Sequence, residues 1–148
     1  MEAENPSVQA LRALAGDWTF EMTHRLLPET VLSGRSTFEL LEGGKFLVLR
    51  EQVDHPEFPD SSLAVIGGAD DLRMHYFDSR GVARVLELVI DRNVWTFTRN
   101  EPDFSPLDFH QRLTWTLSRD GQTITGLAEI SDDGEKWEDD LHITYRQT

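Results

Sequence analysis

The stretch Gly16-Asp17-Trp18-Thr19-Phe20-Glu21-Met22-Thr23-His24 decides the fold class of this chain. Apolar and polar residues alternate along it, and this two-residue period is typical of a β-strand with one buried face. The apolar face carries Trp18, Phe20 and Met22, and it ends at His24. The stretch therefore predicts a strand that starts with Gly-x-Trp and directs large apolar side chains into a core.

A single helix is predicted directly before this strand, over residues 6–15. Asn5 can cap it, and Pro6 suits the first helical position. Its apolar stripe consists of Val8, Leu11, Leu14 and Ala15. Gly16 favours the end of the helix, because glycine tolerates the backbone conformation in which helices often terminate.

The rest of the chain has the pattern of short strands separated by turns. We expect ten strands, near residues 17–25, 31–41, 45–53, 62–67, 72–78, 83–90, 93–99, 108–118, 122–131 and 135–147. No connection is long enough for a crossover helix, so consecutive strands should pair antiparallel, and closure would remove the exposed edges. The prediction is an all-β, up-and-down antiparallel barrel of about ten strands over residues 17–147, plugged at one end by the helix, in a single domain of residues 1–148.

The connections of such a barrel alternate between its two ends. One end, which we call the mouth, collects the connections at residues 26–30, 54–61, 79–82, 100–107 and 132–134. The two longest connections both lie there. The helix, Gly16 and Trp18 lie at the opposite end. The sequence therefore predicts one plugged end and one loop-rich entrance.

The two ends of the chain resemble those of the calycin barrels, the lipocalins and fatty-acid-binding proteins. The resemblance rests on Gly16-Asp17-Trp18 in the first strand and Tyr145-Arg146 in the last. It implies that Trp18 and Arg146 meet when the sheet closes, and that the barrel holds a small molecule. The segments 37–46 and 74–81 are also similar to those of uncharacterised bacterial lipocalin-like proteins.

The length, the helix before Gly-x-Trp and the ten strands also resemble the nitrobindin-type barrels. That resemblance implies haem held by a histidine of the last strand, where this chain has His142, and chemistry on nitrogen oxides. Strand parity opposes it. Leu141, Ile143 and Tyr145 form the apolar face of that strand, so His142 should point outward. Arg146 shares the face of His142, so an Arg146 that turns inward to Trp18 would turn His142 inward too, unless a bulge separates them. We therefore expect no cofactor, with haem as the alternative.

Strand parity also predicts which side chains face a ligand near the mouth. The candidates are Phe20, His24, Tyr76, Arg84, Arg99, Gln111 and Trp115, with Phe58 and Phe104 of the long connections as a lid. Two arginines above an apolar interior suit a hydrophobic or amphipathic ligand with an anionic or carbonyl head. Arg84 and Arg99 should lie side by side on neighbouring strands. Alternatively, the two arginines pair with the inward acids Glu51 or Asp78, or emerge into solvent. The alternative for Phe58 and Phe104 is that each side chain caps its own loop.

The hairpin around Asp78-Ser79-Arg80-Gly81 brings a serine, an aspartate and His75 close together in sequence. Neighbouring residues of one strand face opposite sides, so they cannot easily converge as a catalytic triad. A turn with an aspartate hydrogen bond to the backbone explains the pattern better. No catalytic residue is assigned, although an enzyme that uses Arg84, Arg99 or His24 on a bound acid or ketone remains an alternative.

Composition limits the class of partner. The chain has 148 residues, a net charge of −13 and no cysteine, which excludes disulfides and thiolate ligands. Such a negative surface repels phosphate backbones and anionic membranes, so neither nucleic acid nor membrane is expected as a partner. The histidines show no metal-ligand spacing. The acidic, polar start does not resemble a signal peptide, so we expect a cytoplasmic protein, and a homodimer stays open.

Overall fold

The computed structural model describes residues 6–25, 27–55, 61–68, 71–99 and 109–148. One helix and ten strands occur in them, in the order α1 Pro6–Ala13, β1 Gly16–His24, β2 Leu27–Leu40, β3 Phe46–Val53, β4 Ser61–Gly67, β5 Arg73–Asp78, β6 Ala83–Asp91, β7 Val94–Arg99, β8 His110–Leu117, β9 Thr123–Ser131 and β10 Glu138–Gln147. Each strand overlaps the predicted one. The predicted all-β class with one N-terminal helix is confirmed.

The ten strands form one closed barrel in which consecutive strands pair antiparallel. Closure occurs between β1 and β10, where Phe20 lies opposite Tyr145 and Met22 opposite Ile143. Each of these ten strands therefore has a hydrogen-bonded neighbour on both sides, so none of the described strands has an open edge. The predicted up-and-down topology is confirmed.

Strand β2 begins earlier than predicted, at Leu27 instead of residue 31. Its pairing with β1 shifts between Met22, which lies opposite Leu32, and His24, which lies opposite Leu27. The irregularity accommodates extra β2 residues, among them Pro28, which has no backbone N–H to give to a ladder. The first connection is consequently shorter than the predicted residues 26–30.

Aromatic side chains fill the centre of the barrel. The largest fully buried ones are Trp18, Phe38, Trp95, Phe97 and Trp115. Their rings pack edge to face, with centroids 5.9 Å apart for Trp18 and Phe38 and 4.9 Å apart for Phe97 and Trp115. Such contacts add about 0.5–1.5 kcal/mol per pair to the burial of apolar area. The interior at this level is a packed core.

Helix α1 covers the end of the barrel opposite the mouth. Leu11 and Leu14 are buried in the same core as Trp18, which is 1% exposed. The Trp18 indole N–H donates to the Leu14 carbonyl oxygen at 2.9 Å and so satisfies a carbonyl at the helix end. The predicted burial of Trp18 at the plugged end is confirmed.

The predicted contact between Trp18 and Arg146 is wrong. Trp18 lies opposite Gln147, and Arg146 lies opposite Thr19, whose side chain is exposed. Because side chains alternate along a strand, this register places Arg146 on the outer face of β10, where it is exposed. The ends are instead joined through the Asp17 carbonyl oxygen, which accepts the Thr148 backbone N–H at 3.0 Å.

The described part of the chain contains no helix long and apolar enough to cross a membrane.

Candidate functional site

A cavity of about 250 Å³ lies inside the barrel, on the mouth side of the aromatic core. Its apolar lining consists of Met22, Val53, Met74, Leu113, Trp115, Leu141 and Ile143. Its polar lining consists of His24, Glu51, Ser62, Tyr76, Arg80, Asp140 and Tyr145. A larger recess of about 820 Å³ also borders Ser36, Glu51 and Ser62, but most of its lining consists of outward residues such as Asp17, Arg35 and Arg50. The interior cavity is the better candidate, because small-molecule sites are concave and mostly apolar with a few polar groups.

Glu51 on β3 places a carboxyl group in the wall of this cavity. Its Oε1 accepts a hydrogen bond from the Tyr145 hydroxyl at 3.0 Å. The residues opposite it on the two neighbouring strands are small, Ser36 on β2 and Ser62 on β4. Burial raises the pKa of Glu51 from 4.5 to about 7, against the opposing effect of the hydrogen bond from Tyr145. The carboxyl group therefore changes charge near neutral pH.

Sequence reasoning considered Glu51 only as a counter-ion for the arginines. The available signal was its position: it shares the inward face of β3 with Leu47, Leu49 and Val53. Because a lone acid on an apolar strand face is costly to bury, this pattern identifies Glu51 as a candidate ligand-binding residue. Asp78, the other proposed counter-ion, also has a different partner.

Tyr76, Asp78 and Arg80 form a second polar group at the mouth. The Tyr76 hydroxyl donates to Asp78 Oδ2 at 2.9 Å, and Arg80 Nη2 donates to the same oxygen at 2.8 Å. Burial acts against ionisation of Asp78, but hydrogen bonds from Arg80 and Tyr76 hold its pKa below the usual value. Burial, together with the Asp78 charge, raises the pKa of Tyr76. Asp78 is therefore an ionised anchor for this hairpin.

The hairpin is the predicted turn. Asp78 Oδ1 accepts the Arg80 backbone N–H at 2.9 Å, and the Asp78 carbonyl oxygen accepts the Gly81 N–H at 2.9 Å. His75 and Ser79 are exposed, whereas Asp78 is partly buried. The exposed His75 and Ser79 side chains do not converge with Asp78, and the predicted aspartate hydrogen bond to the turn backbone is present.

His24 and Asp140 face each other across the pair of β1 and β10. His24 Nε2 lies 3.4 Å from Asp140 Oδ1, and Arg25 Nε donates to the same oxygen at 3.0 Å. Asp140 therefore has the Arg25 guanidinium group beside it. This group closes one side of the mouth with polar side chains.

Arg84 and Arg99 both approach the ring of Phe109. Their Cζ atoms lie 5.8 and 5.7 Å from its centroid. Arg99 is 3% exposed, and its Nη1 donates to the Phe109 carbonyl oxygen at 3.0 Å and to Gln111 Oε1 at 3.4 Å. Burial lowers the pKa of Arg84, and the charge of Arg99 contributes to this effect. The two guanidinium groups are therefore neighbours in a partly desolvated site.

Their relative position differs in detail from the expected one. Glu87 lies opposite Thr98. Continuation of this antiparallel register places Arg99 level with Leu86, so Arg84 is two residues nearer the mouth than a direct partner would be. The arginines are diagonal neighbours, and Phe109 lies against both of them.

The structure separates the predicted ligand-binding residues into groups. His24, Tyr76 and Trp115 line the cavity. Arg84, Arg99 and Gln111 gather beside Phe109, outside that lining, and Phe20 packs on Tyr145 with ring centroids 5.7 Å apart. Phe58 and Phe104 lie outside the described residues, so the lid stays a prediction.

His142 points away from the cavity. Its side chain is 61% exposed, and its Nε2 lies 3.3 Å from Asp139 Oδ2 on the outer surface. A haem group inside the barrel would not reach this histidine, so the residue that the nitrobindin resemblance nominates does not fit the role. Among the described residues, no cluster of three or more histidine, aspartate or glutamate side chains could hold a metal ion.

The fold is a closed ten-stranded antiparallel β-barrel with an interior cavity. The crystal structure of Rv2717c from M. tuberculosis is similar over the whole chain, with a TM-score of 0.68, 99% of each chain covered and 14% sequence identity. At that identity the likeness establishes the fold alone. No family model and no curated protein matches the chain.

Proposed function

We propose that this protein binds a small, mostly apolar molecule inside the barrel, with a polar head directed toward the mouth. The observation that carries the proposal is the interior cavity of about 250 Å³, whose lining combines seven apolar side chains with seven polar ones. A dry protein cavity of about 150 Å³ holds benzene, so this one suits a ligand of about ten to twelve non-hydrogen atoms. Burial of such a ligand would supply the main driving force.

An anionic head is the chemistry that the mouth favours. Burial lowers the pKa of Arg84, and the nearby charges of Arg99 and Arg80 act in the same direction, against the effects of Tyr76 and Asp78. Three guanidinium groups in one region stand out in a chain whose net charge is −13. A carboxylate beside Arg84 and Arg99 would offset their mutual repulsion and accept hydrogen bonds from both.

Neither alternative function has a supporting observation. The haem hypothesis relied on His142, which lies on the outer surface. The enzyme hypothesis relied on His24, Arg84 or Arg99, and the first is held beside Asp140 while the other two flank Phe109. Binding without an assigned reaction is therefore the proposal.

The test fills the cavity with a side chain. Ser62 lines the cavity, whereas Ser61, the preceding residue of β4, is exposed on the outer face. We expect 4-phenyl-2-butanone and 3-phenylpropanoate to bind the native protein in isothermal titration calorimetry at pH 6. Ser62→Phe should abolish this binding, and Ser61→Phe should leave it unchanged, with thermal unfolding of both variants as the check on folding. Equal binding by a folded Ser62→Phe variant would place the site elsewhere.

A further inference from the structure

Glu51 is the polar group that the proposed function does not yet use. It lines the same cavity as Met74, Trp115 and Ile143. The interior residues on its own strand are apolar, and its neighbours across the sheet are the short Ser36 and Ser62. Short flanking side chains leave its carboxyl group accessible to a molecule inside the barrel.

The groups around Glu51 determine whether its carboxyl group is protonated when a ligand binds. The titratable and charged side chains of the same cavity are His24 and Asp140 at the junction of β1 and β10, Tyr76 and Arg80 at the end of β5, and Tyr145 on β10; Asp78 lies behind Tyr76. Arg80 is held by Asp78, and no cation of the described residues forms a salt bridge with Glu51. Burial of the carboxylate is therefore poorly compensated, and the neutral acid is favoured.

A neutral carboxylic acid is a hydrogen-bond donor as well as an acceptor. Tyr145 already donates to Oε1, so the additional donor that protonation supplies is the Glu51 O–H. An acceptor oxygen of a ligand can pair with this O–H, whereas a hydrocarbon leaves it unmatched, and an unmatched buried donor costs about 1–3 kcal/mol. A ligand ammonium group fits less well, since the Arg80 guanidinium lines the same cavity.

We propose that Glu51, in its protonated form, donates a hydrogen bond to an uncharged carbonyl or similar acceptor oxygen in the apolar part of the bound molecule. This proposal rests on the proposed function, because it takes place inside the same cavity. Its consequence is that ligand affinity depends on the protonation of Glu51. A carbonyl ligand binds better at lower pH, and its binding near neutral pH takes up a proton.

The experiment compares four probes of similar size by calorimetry between pH 5.5 and 8.5: 4-phenyl-2-butanone, its hydrocarbon analogue isopentylbenzene, 3-phenylpropanoate and 3-phenylpropylamine. The ketone should bind about tenfold more tightly at pH 5.5 than at pH 8.5, because the acid is mostly protonated only at the lower pH. The hydrocarbon should change by less than about twofold, because it accepts no hydrogen bond. Buffers of different ionisation enthalpy should reveal proton uptake with the ketone alone.

Two variants separate the role of Glu51 from that of other titrating groups. Glu51→Gln keeps an acceptor for Tyr145 and a permanent N–H donor, so ketone binding should persist and lose its pH dependence. Glu51→Leu should abolish the preference for the ketone over the hydrocarbon. Glu39→Gln, an exposed change on the outer face of β2, should behave as the native protein.

The outcomes distinguish this inference from the proposed function. Ketone binding that is independent of pH, or that keeps its pH dependence in Glu51→Gln, overturns the inference and leaves the cavity function intact. Tighter binding of the amine with rising pH also overturns it, since Glu51 would then act as a carboxylate. Failure of all four probes at every pH overturns both.

Discussion

At the scale of single residues, Glu51 shows how burial changes the charge of a side chain. Its pKa rises from 4.5 to about 7 on folding, so the folded state binds a proton more tightly than the unfolded state. The stability from this difference is fully present below pH 4.5 and is lost as pH rises through 7. Complete loss of this contribution corresponds to an upper limit of about 3 kcal/mol.

We predict that Glu51→Gln stabilises the protein at high pH. The amide carries no charge, so the variant avoids the cost of a buried carboxylate and should gain about 1–3 kcal/mol of unfolding free energy at pH 8.5 relative to pH 5. Urea denaturation at several pH values measures it. Glu39→Gln, exposed on β2, controls for the change in net charge. A constant difference between Glu51→Gln and the native protein across this range would contradict the assigned pKa.

His142, in contrast to Glu51, lies on the outer face of the barrel. We predict that His142→Ala changes the unfolding free energy by less than about 0.5 kcal/mol, as is usual for exposed sites. Haemin titration, followed by absorbance in the Soret region, should give the same result for the native and variant proteins. A stoichiometric haem complex that this one substitution abolishes would restore the nitrobindin hypothesis.

At the scale of elements, the sequence predicted which segments are strands but not every register. Two-residue alternation is a local property, so it located all ten strands and identified the inward faces that carry Trp18, Tyr76 and Trp115. The start of β2 depends on an irregular pairing with β1, which no local pattern encodes. The outward position of Arg146 depends on register at closure, where a shift of one residue reverses the face.

The predicted cluster of side chains at the mouth shows the same limit of a local sequence pattern. Parity placed Arg84 and Arg99 inside the barrel, and the structure places them together. Their diagonal offset and the role of Phe109 between strands β7 and β8 depend on tertiary packing. The sequence analysis did not name Glu51 as a ligand-binding residue. Its raised pKa results from desolvation, which depends on the folded structure and not on a local sequence pattern.

The junction of α1 and β1 gives a prediction at this scale. Trp18→Ala should cost about 3–5 kcal/mol, because it removes a buried aromatic side chain. It also leaves the Leu14 carbonyl oxygen without the indole N–H. Arg146→Ala should change stability by less than about 0.5 kcal/mol, because its side chain is exposed on the outer face.

A double-mutant cycle in urea denaturation tests whether these two residues interact. The structure predicts a coupling energy near zero, because Trp18 and Arg146 face opposite sides of the sheet. Coupling of about 1 kcal/mol or more would indicate the contact that the calycin resemblance implies.

At the scale of the whole molecule, the mouth contrasts with the rest of the protein. The net charge is −13, yet Arg80, Arg84 and Arg99 lie near one another, and Arg80 also lines the cavity. The overall negative field slows the approach of an anion, so selectivity for an anionic head has to come from short-range contacts. Because partly buried charges are screened less than exposed ones, this preference should persist at moderate salt concentration.

We predict that Arg84→Ala weakens the binding of 3-phenylpropanoate more than that of 4-phenyl-2-butanone. At pH 6 the first probe carries a charge and the second does not, while both fill a similar volume. Loss of one charged hydrogen-bond partner should cost about 1.5–3 kcal/mol, which is roughly a tenfold to hundredfold loss in affinity, for the carboxylate alone.

The double variant Arg84→Ala with Arg99→Ala should lose the remaining preference. Arg73→Ala, exposed on the outer face of β5, is the matched control. Equal responses of the acid and the ketone in the native protein, or unchanged carboxylate binding in the folded double variant, would eliminate the anionic head. The ligand would then be held by the apolar wall and Glu51.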